Sequence, residues 1–303
     1  VVRNPRDLYE LHTDETDFGS PVMLHSLAGF LDAGSSGRLA VAQLTSLLEH
    51  RLIATFDVDA LYDYRARRPR MTFLNDHYGQ IDLPELTLSE LRDQSGARFL
   101  LLAGPEPDFG WQGFVAAAEQ IVRHFGVKLT IGMHAVPWPA PHTRPVGITT
   151  HSSDPTLLGE HRTWVGNLEV PGHVAGLLEL TLGAAGHDSM GFVAHIPHYL
   201  TGVDYPRGAV ALIEAVSAKT GLLLPFGDLL ESAERTDAEI SAQVSGSSEN
   251  DDAVRALEQQ YDSFVSTAVD QDPTAGPLPS ADEIAAQVEQ FLADLDARGR
   301  DEN

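Results

Sequence analysis

Two hydrophobic periods alternate along the first 225 residues. Short continuous apolar runs have the length and composition of buried strands: Pro21–Phe30 (PVMLHSLAGF), Leu52–Asp57, Ala97–Ala103 (ARFLLLA), Val127–His134 and Met190–Ile196, with a shorter one at Gly147–Thr150. Stretches with helical spacing separate them. Arg38–His50 places Ala40, Leu44, Leu47 and Leu48 on one stripe, with Ser35 or Ser36 positioned to cap it. Trp111, Phe114, Val115, Ala118, Val122 and Phe125 make a second stripe, with Asp108 as its cap and Gly126 as its stop. Pro171–Ala185 and Pro206–Thr220 are two further helices with proline in the first turn. Strand–helix alternation predicts βαβ units, and hence an α/β fold with a mostly parallel central sheet between helical layers, a three-layer α/β/α arrangement.

After Pro225 the pattern turns helix-only. A polar stretch, Ser241–Asp252, reads as a helix end and a turn. A seam of Val254, Leu257, Tyr261, Phe264, Val265 and Ala268 follows, then a QDPTAGPLP linker. Ser280 caps a last helix with Ile284, Val288, Phe291, Leu292 and Leu295 inward. This divides the chain into a core domain, 1–225, and an acidic helical extension, 226–303.

Charge sharpens that division. The net charge is −24 over 303 residues, and residues 228–303 hold 19 acidic side chains against four arginines. Such a surface repels phosphate backbones and anionic lipid, so neither nucleic acid nor a membrane is an expected partner. No apolar run reaches the roughly 18 residues of a membrane span. The opening VVRNPRDLYE lacks the apolar stretch of a signal peptide, and a cytoplasmic protein is expected. Cysteine is absent, which removes disulfides, thiolate zinc sites and a thiol nucleophile. There are two lysines and no GxxxxGK[ST] phosphate loop; LDAGSSG resembles a phosphate cradle as well as a plain strand-to-helix turn, and no cofactor is expected.

Ligands of an open parallel sheet bind beyond the carboxyl ends of its strands. That rule selects LDAGSSG (31–37), GPEPDFG (104–110), the proline-rich 135–145 and HIPHYL (195–200). The candidate cleft residues are Asp32, Glu106, His142, Arg144, His195 and His198. Asp32 sits in a glycine–serine turn that also suits plain strand-to-helix reversal. Glu106 stands between two prolines, two residues from Asp108, a spacing that divides acid and base roles only if their environments differ. Nine of the thirteen histidines fall between His124 and His198, yet none stands at a metal-ligand spacing, so no metal site is expected. The four prolines of Pro137–Pro145 exclude a helix interior and a central strand there. In DYRARRPR, Arg65, Arg67, Arg68 and Arg70 form the one basic cluster of an acidic chain, suited to an interface or to ion pairs with this chain's own carboxylates.

The combination of LAGFLDAG, FDVDALYDYRARRPRMTF, LLLAGPEPDFGW, VPWPAPHTRPVGITTH, GFVAHIPHYLTGVDYP and GLLLPFGDL resembles the PAC2 family, named for a proteasome assembly chaperone, and in particular its bacterial branch. ALEQQYDSFV and LPSADEIAAQVEQFLADL extend the resemblance into the tail. It implies a phosphorylase/hydrolase-like α/β/α fold, a homo-oligomer with a trimer as first guess, and a non-catalytic assembly or interaction protein acting on a protein partner. The alternative is an enzyme or sensor that binds a small nucleoside-, phosphate- or carboxylate-bearing metabolite in the cleft.

Overall fold

The computed structural model describes residues 4–158 and 167–270. In chain order the elements are β1 (Tyr9–Leu11), β2 (Val22–Ala28), α1 (Ser36–Leu47), β3 (His50–Phe56), α2 (Val58–Leu61), β4 (Met71–Leu74), β5 (His77–Ile81), β6 (Thr87–Arg92) and β7 (Arg98–Pro105). Then come α3 (Trp111–His124), β8 (Leu129–Trp138), β9 (Ile148–Ser152), α4 (Val174–Ala184), β10 (Ser189–Pro197), α5 (Pro206–Thr220), α6 (Gly227–Ser245) and α7 (Ser248–Asp270). The main compact unit holds the described residues up to 158 and from 172 to 261; residues 167–171 and 262–270 belong to a second unit. The last helix expected from Ser280 onward lies outside the described residues, as does the linker before it.

Eight strands form one sheet in the order β1-β3-β6-β7-β2-β8-β10-β9. Its centre, β7-β2-β8-β10, is parallel, and the flanking strands pair antiparallel. The mostly parallel α/β sheet stands, with short antiparallel additions at both edges. Both faces of the parallel centre are covered, so alternate side chains enter different cores. Val22, Leu24, Phe99, Leu101, Ile131, Met133, Phe192 and Ile196 pack under α1 and α5. Met23, Leu27, Leu100 and Leu102 pack under α3 and α4.

Local chemistry differs from expectation in several places. Neither Ser35 nor Ser36 caps α1: Ser35 lies at φ 52° and the Ser36 hydroxyl donates to the Ala33 carbonyl. Asp32 does the capping, accepting from the Gly37 N–H at 2.7 Å. The α3 cap is Gly110 at φ 65°, because Asp108 is turned toward Asp63 and Arg67. Gly126 and Gly221 stop α3 and α5 in the left-handed conformation, as their positions predict. Pro171 does not begin α4, which starts at Val174 with the His173 imidazole as its cap. Pro137 lies inside the central strand β8, against the proline rule. It is tolerated because β2 pairs with β8 only as far as Gly132, so the strand has a single neighbour, β10, where Pro137 sits.

β6, a strand the sequence pattern does not mark, brings an ion cluster with it. Glu90, 4% exposed, accepts from Arg51 Nε at 3.1 Å and from Arg98 Nε at 2.5 Å, and the same two guanidiniums close onto Glu15 at 2.8 Å each. Burial works against the Glu90 charge, but Arg98 and Arg51 outweigh it and hold the carboxyl below its ordinary range. The contribution is therefore present above the ordinary carboxylate pKa and lost as pH falls through the lowered value. Glu90→Gln leaves both guanidiniums without their inner carboxylate and is expected to cost about 2–3 kcal/mol at neutral pH, read as a lower urea midpoint.

Candidate functional site

The carboxyl ends of β2, β7, β8 and β10 form one rim, and the six sequence-selected residues lie along it, each engaged inside the chain. Asp32 follows β2 and bridges Ala135 of β8. Burial raises its pKa, opposed by the Gly37 and Arg38 N–H groups it accepts from. Glu106 follows β7. Its Oε1 accepts from the Val174 N–H at 2.9 Å, at the start of α4, and its Oε2 from the Phe30 N–H at 3.3 Å. Gly29 is needed beside it, since a Cβ there would stand 2.7 Å from the carboxylate. His195 is buried on β10, stacked on Trp138 at 4.0 Å, with Nε2 2.7 Å from the Thr149 hydroxyl. His198 lies exposed in the turn after β10, edge-on to Tyr199.

His142 and Arg144 meet the C-terminal helices. The Ser241 hydroxyl of α6 donates to the Asp237 carbonyl, so His142 Nε2–H donates to Ser241 Oγ at 3.1 Å. His142 Nδ1 then accepts from the Tyr199 hydroxyl at 2.8 Å, which itself accepts from the His142 backbone N–H. This network uses a neutral imidazole, in keeping with burial lowering the His142 pKa. Arg144 pairs with Glu258 of α7 at 3.2 Å, Thr143 also donates to Glu258, and the Tyr261 hydroxyl donates to the Pro145 carbonyl. The stiff proline segment is thus the seat on which α6 and the start of α7 rest, together with the burial of Leu229, Ala233 and Val254.

Of the four arginines, Arg67 donates to the Glu106 carbonyl and to Asp108, both at 2.6 Å, with its guanidinium over the Tyr62 ring. Arg65, Arg68 and Arg70 are exposed and have no ion pair among the described residues. Two surface depressions, of about 190 and 480 Å³, are lined by other residues, around Glu90 and around Pro21, Asp93 and Gly221 respectively.

Two features escape sequence reading. The first is the hairpin β4–β5, a separate two-stranded sheet whose residues are all exposed. The second is a histidine layer on the α4 side of the sheet, with His25 and His134 buried and His151 and His173 partly exposed. In register, His25 of β2, Gly132 of β8, Gly191 of β10 and His151 of β9 form one row across four strands. The His134 ring leans over that glycine floor, its centroid 5.6 Å from His25, 6.0 Å from His151 and 6.4 Å from His173. A Cβ at Gly132 would collide with His134 and His25, and one at Gly191 with His151. Burial, and then the neighbouring His151, lowers the His25 pKa to about 4, and its Nδ1 lacks a hydrogen-bond partner. The available signal is an imidazole at alternate positions of two otherwise apolar strands, Met23/His25 and Gly132/His134. Among the described residues no three imidazole or carboxylate groups converge on a metal position.

Two outcomes follow for variants at this rim. His142→Ala removes two side-chain hydrogen bonds at a buried seat and is expected to cost about 2 kcal/mol of local stability, read as faster amide exchange in α6 than in α3. His195, with burial pushing its pKa down to about 4 from 6.5, takes its proton in the unfolded state first. Stability therefore falls as pH drops from 6.5 toward 4, by about 3 kcal/mol for this group. Urea midpoints for His195→Gln across that range are expected to show a shallower slope, by about one proton.

Comparison with known proteins places these features. The PAC2 family model matches residues 26–244. A Mycobacterium tuberculosis protein of unknown function is 43% identical, with a TM-score of 0.83 over 86% of this chain and 91% of that one. A Corynebacterium glutamicum protein of unknown function is 35% identical, with a TM-score of 0.81 over 86% and 98%. A Mycobacterium tuberculosis proteasome-assembly chaperone homologue is 25% identical, with a TM-score of 0.71 over 77% and 99%. No curated protein matches the chain. On the family match and these structural likenesses, the chain belongs to the PAC2 family.

Proposed function

We propose that this chain is a non-catalytic assembly protein of the cytoplasm, a homo-oligomer that holds a protein partner, with a core of residues 1–225 and a helical extension of 226–303. The hairpin β4–β5 carries this reading. Met71, Phe73, Leu74, Tyr78, Ile81 and Leu83 are all exposed, Phe73 at 61% and Tyr78 at 72%. A two-stranded hairpin has little stability of its own in water, and a chain that projects five large apolar side chains from one, with a sixth just after it, loses hydration free energy unless something covers them. Arg65, Arg68 and Arg70 precede the hairpin directly. A second copy of a chain with net charge −24 supplies both an acidic surface for those guanidiniums and an identical hairpin. A trimer is the first stoichiometry to test.

Two further observations support assembly over turnover. The rim residues selected as a ligand cleft each meet a partner within the chain, whereas a site for a small metabolite needs convergent groups left free to bind it. The similarity to a proteasome-assembly chaperone homologue supplies a protein as the class of partner. No helix among the described residues is long and apolar enough to cross a membrane.

Light scattering on the eluting protein tests the reading. The wild-type chain is expected to run at a multiple of its 32.8 kDa mass. Phe73→Ser with Tyr78→Ser, and separately Arg68→Glu with Arg70→Glu, are expected to reduce it to one chain while leaving the circular dichroism unchanged. Phe73 and Tyr78 pack edge to face on each other, so their loss disturbs the hairpin and little else. A wild-type mass of a single chain, or variants that assemble like wild type, would contradict the proposal.

A further inference from the structure

We propose that the first turn of α4 and the edge strand β9 form a proton-released latch over the histidine layer, closed near neutral pH and opened in mildly acidic solution. The inference stands apart from the assembly reading and rests on the geometry of His25, His134, His151 and His173.

The latch has three fastenings, and the first requires a neutral imidazole. His173 Nδ1 accepts from the Gly176 N–H at 2.9 Å and so caps α4. Protonation turns Nδ1 into a donor, which abolishes the cap and sets a positive charge at the positive end of the helix dipole. Glu106 accepts from the Val174 N–H, one residue into the same turn. Glu179 of α4 pairs with His151 Nδ1 of β9 at 2.8 Å, tying helix to edge strand. β9 is hydrogen-bonded on one side only, to β10, so it is the strand of this layer with the least to lose.

The charged groups around the layer decide how many protons it accepts. From α4 come His173 and Glu179, from the loop after β7 comes Glu106, from β9 His151, from β2 His25 and from β8 His134. β10 contributes His195, which is taken up by Trp138 and Thr149. α3 buries only apolar side chains there, and its Glu119 is held by Arg123 and His187. His151 faces Glu179, and its ring stands 6.0 Å, centroid to centroid, from the buried His134 ring. A proton on His25 or His134 finds no carboxylate beside it, since Glu106 and Glu179 stand by His173 and His151. Burial, and then the neighbouring histidines, hold His134 well below its ordinary pKa for that reason. The charge is relieved by letting in water, and α4's first turn and β9 are the parts free to move aside.

Amide hydrogen exchange on the full chain tests this, compared at pH 7.5 and pH 5.0 after correction for intrinsic exchange. Protection of 148–152 and of the first turn of α4 is expected to fall at least tenfold, while β7 and α5 keep theirs. His173→Asn retains a capping acceptor that does not titrate, and is expected to keep α4 protected at pH 5.0. Loss spread evenly over all elements, no loss, or an α4 response in His173→Asn equal to wild type would overturn the proposal. His134→Leu is expected to remove the response of β9; should that core variant fail to fold, His173→Asn at the helix terminus still decides the matter.

Discussion

Burial of both faces of the four parallel strands β7, β2, β8 and β10 is the constraint from which the rest of the structure follows. Each strand must send alternate side chains into two separate cores, and each core needs its own helical cover. On the α1 and α5 side the demand is met mainly by aliphatic and aromatic residues, with the buried Ser26 facing Gly37 of α1. On the α4 side it is met partly by imidazoles, and the glycines at 132 and 191 exist to give those rings room. The consequence is that burial disfavours the charged forms of His25 and His134.

The same sheet explains why polar residues gather at its rim. Loops leaving parallel strands need turn formers and caps, and Asp32 and Glu106 perform those tasks for α1 and α4. His142 and Arg144 are spent in seating α6 and α7 on the rigid proline segment. Polar residues concentrate at the strand ends because backbone groups there need partners. What remains unspent is elsewhere: an apolar hairpin, with three arginines beside it that have no ion pair among the described residues.

Much of the fold was legible in the sequence. The parallel strands and their helices announce themselves because continuous apolar runs and helical stripes report burial directly. β6 was not legible, since a buried glutamate interrupts its pattern and makes sense only once Arg51 and Arg98 arrive from other strands. The hairpin is not legible because its residues, exposed among the described residues, carry no periodicity of a core. Asp32, Glu106, His142, Arg144, His195 and His198 were placed on the correct rim by the topology rule, but sequence spacing does not reveal which hydrogen bonds each will satisfy. His25 and His134 come together only through the register of β2 on β8, over more than a hundred residues of chain.

The account rests most heavily on the claim that the hairpin is covered by a second copy. Amide exchange of Met71–Ile81, followed as protein concentration is raised, tests it directly. Covering by another copy predicts slow exchange at high concentration that is lost on dilution, with the core strands unaffected. Fast exchange at every concentration would contradict the claim.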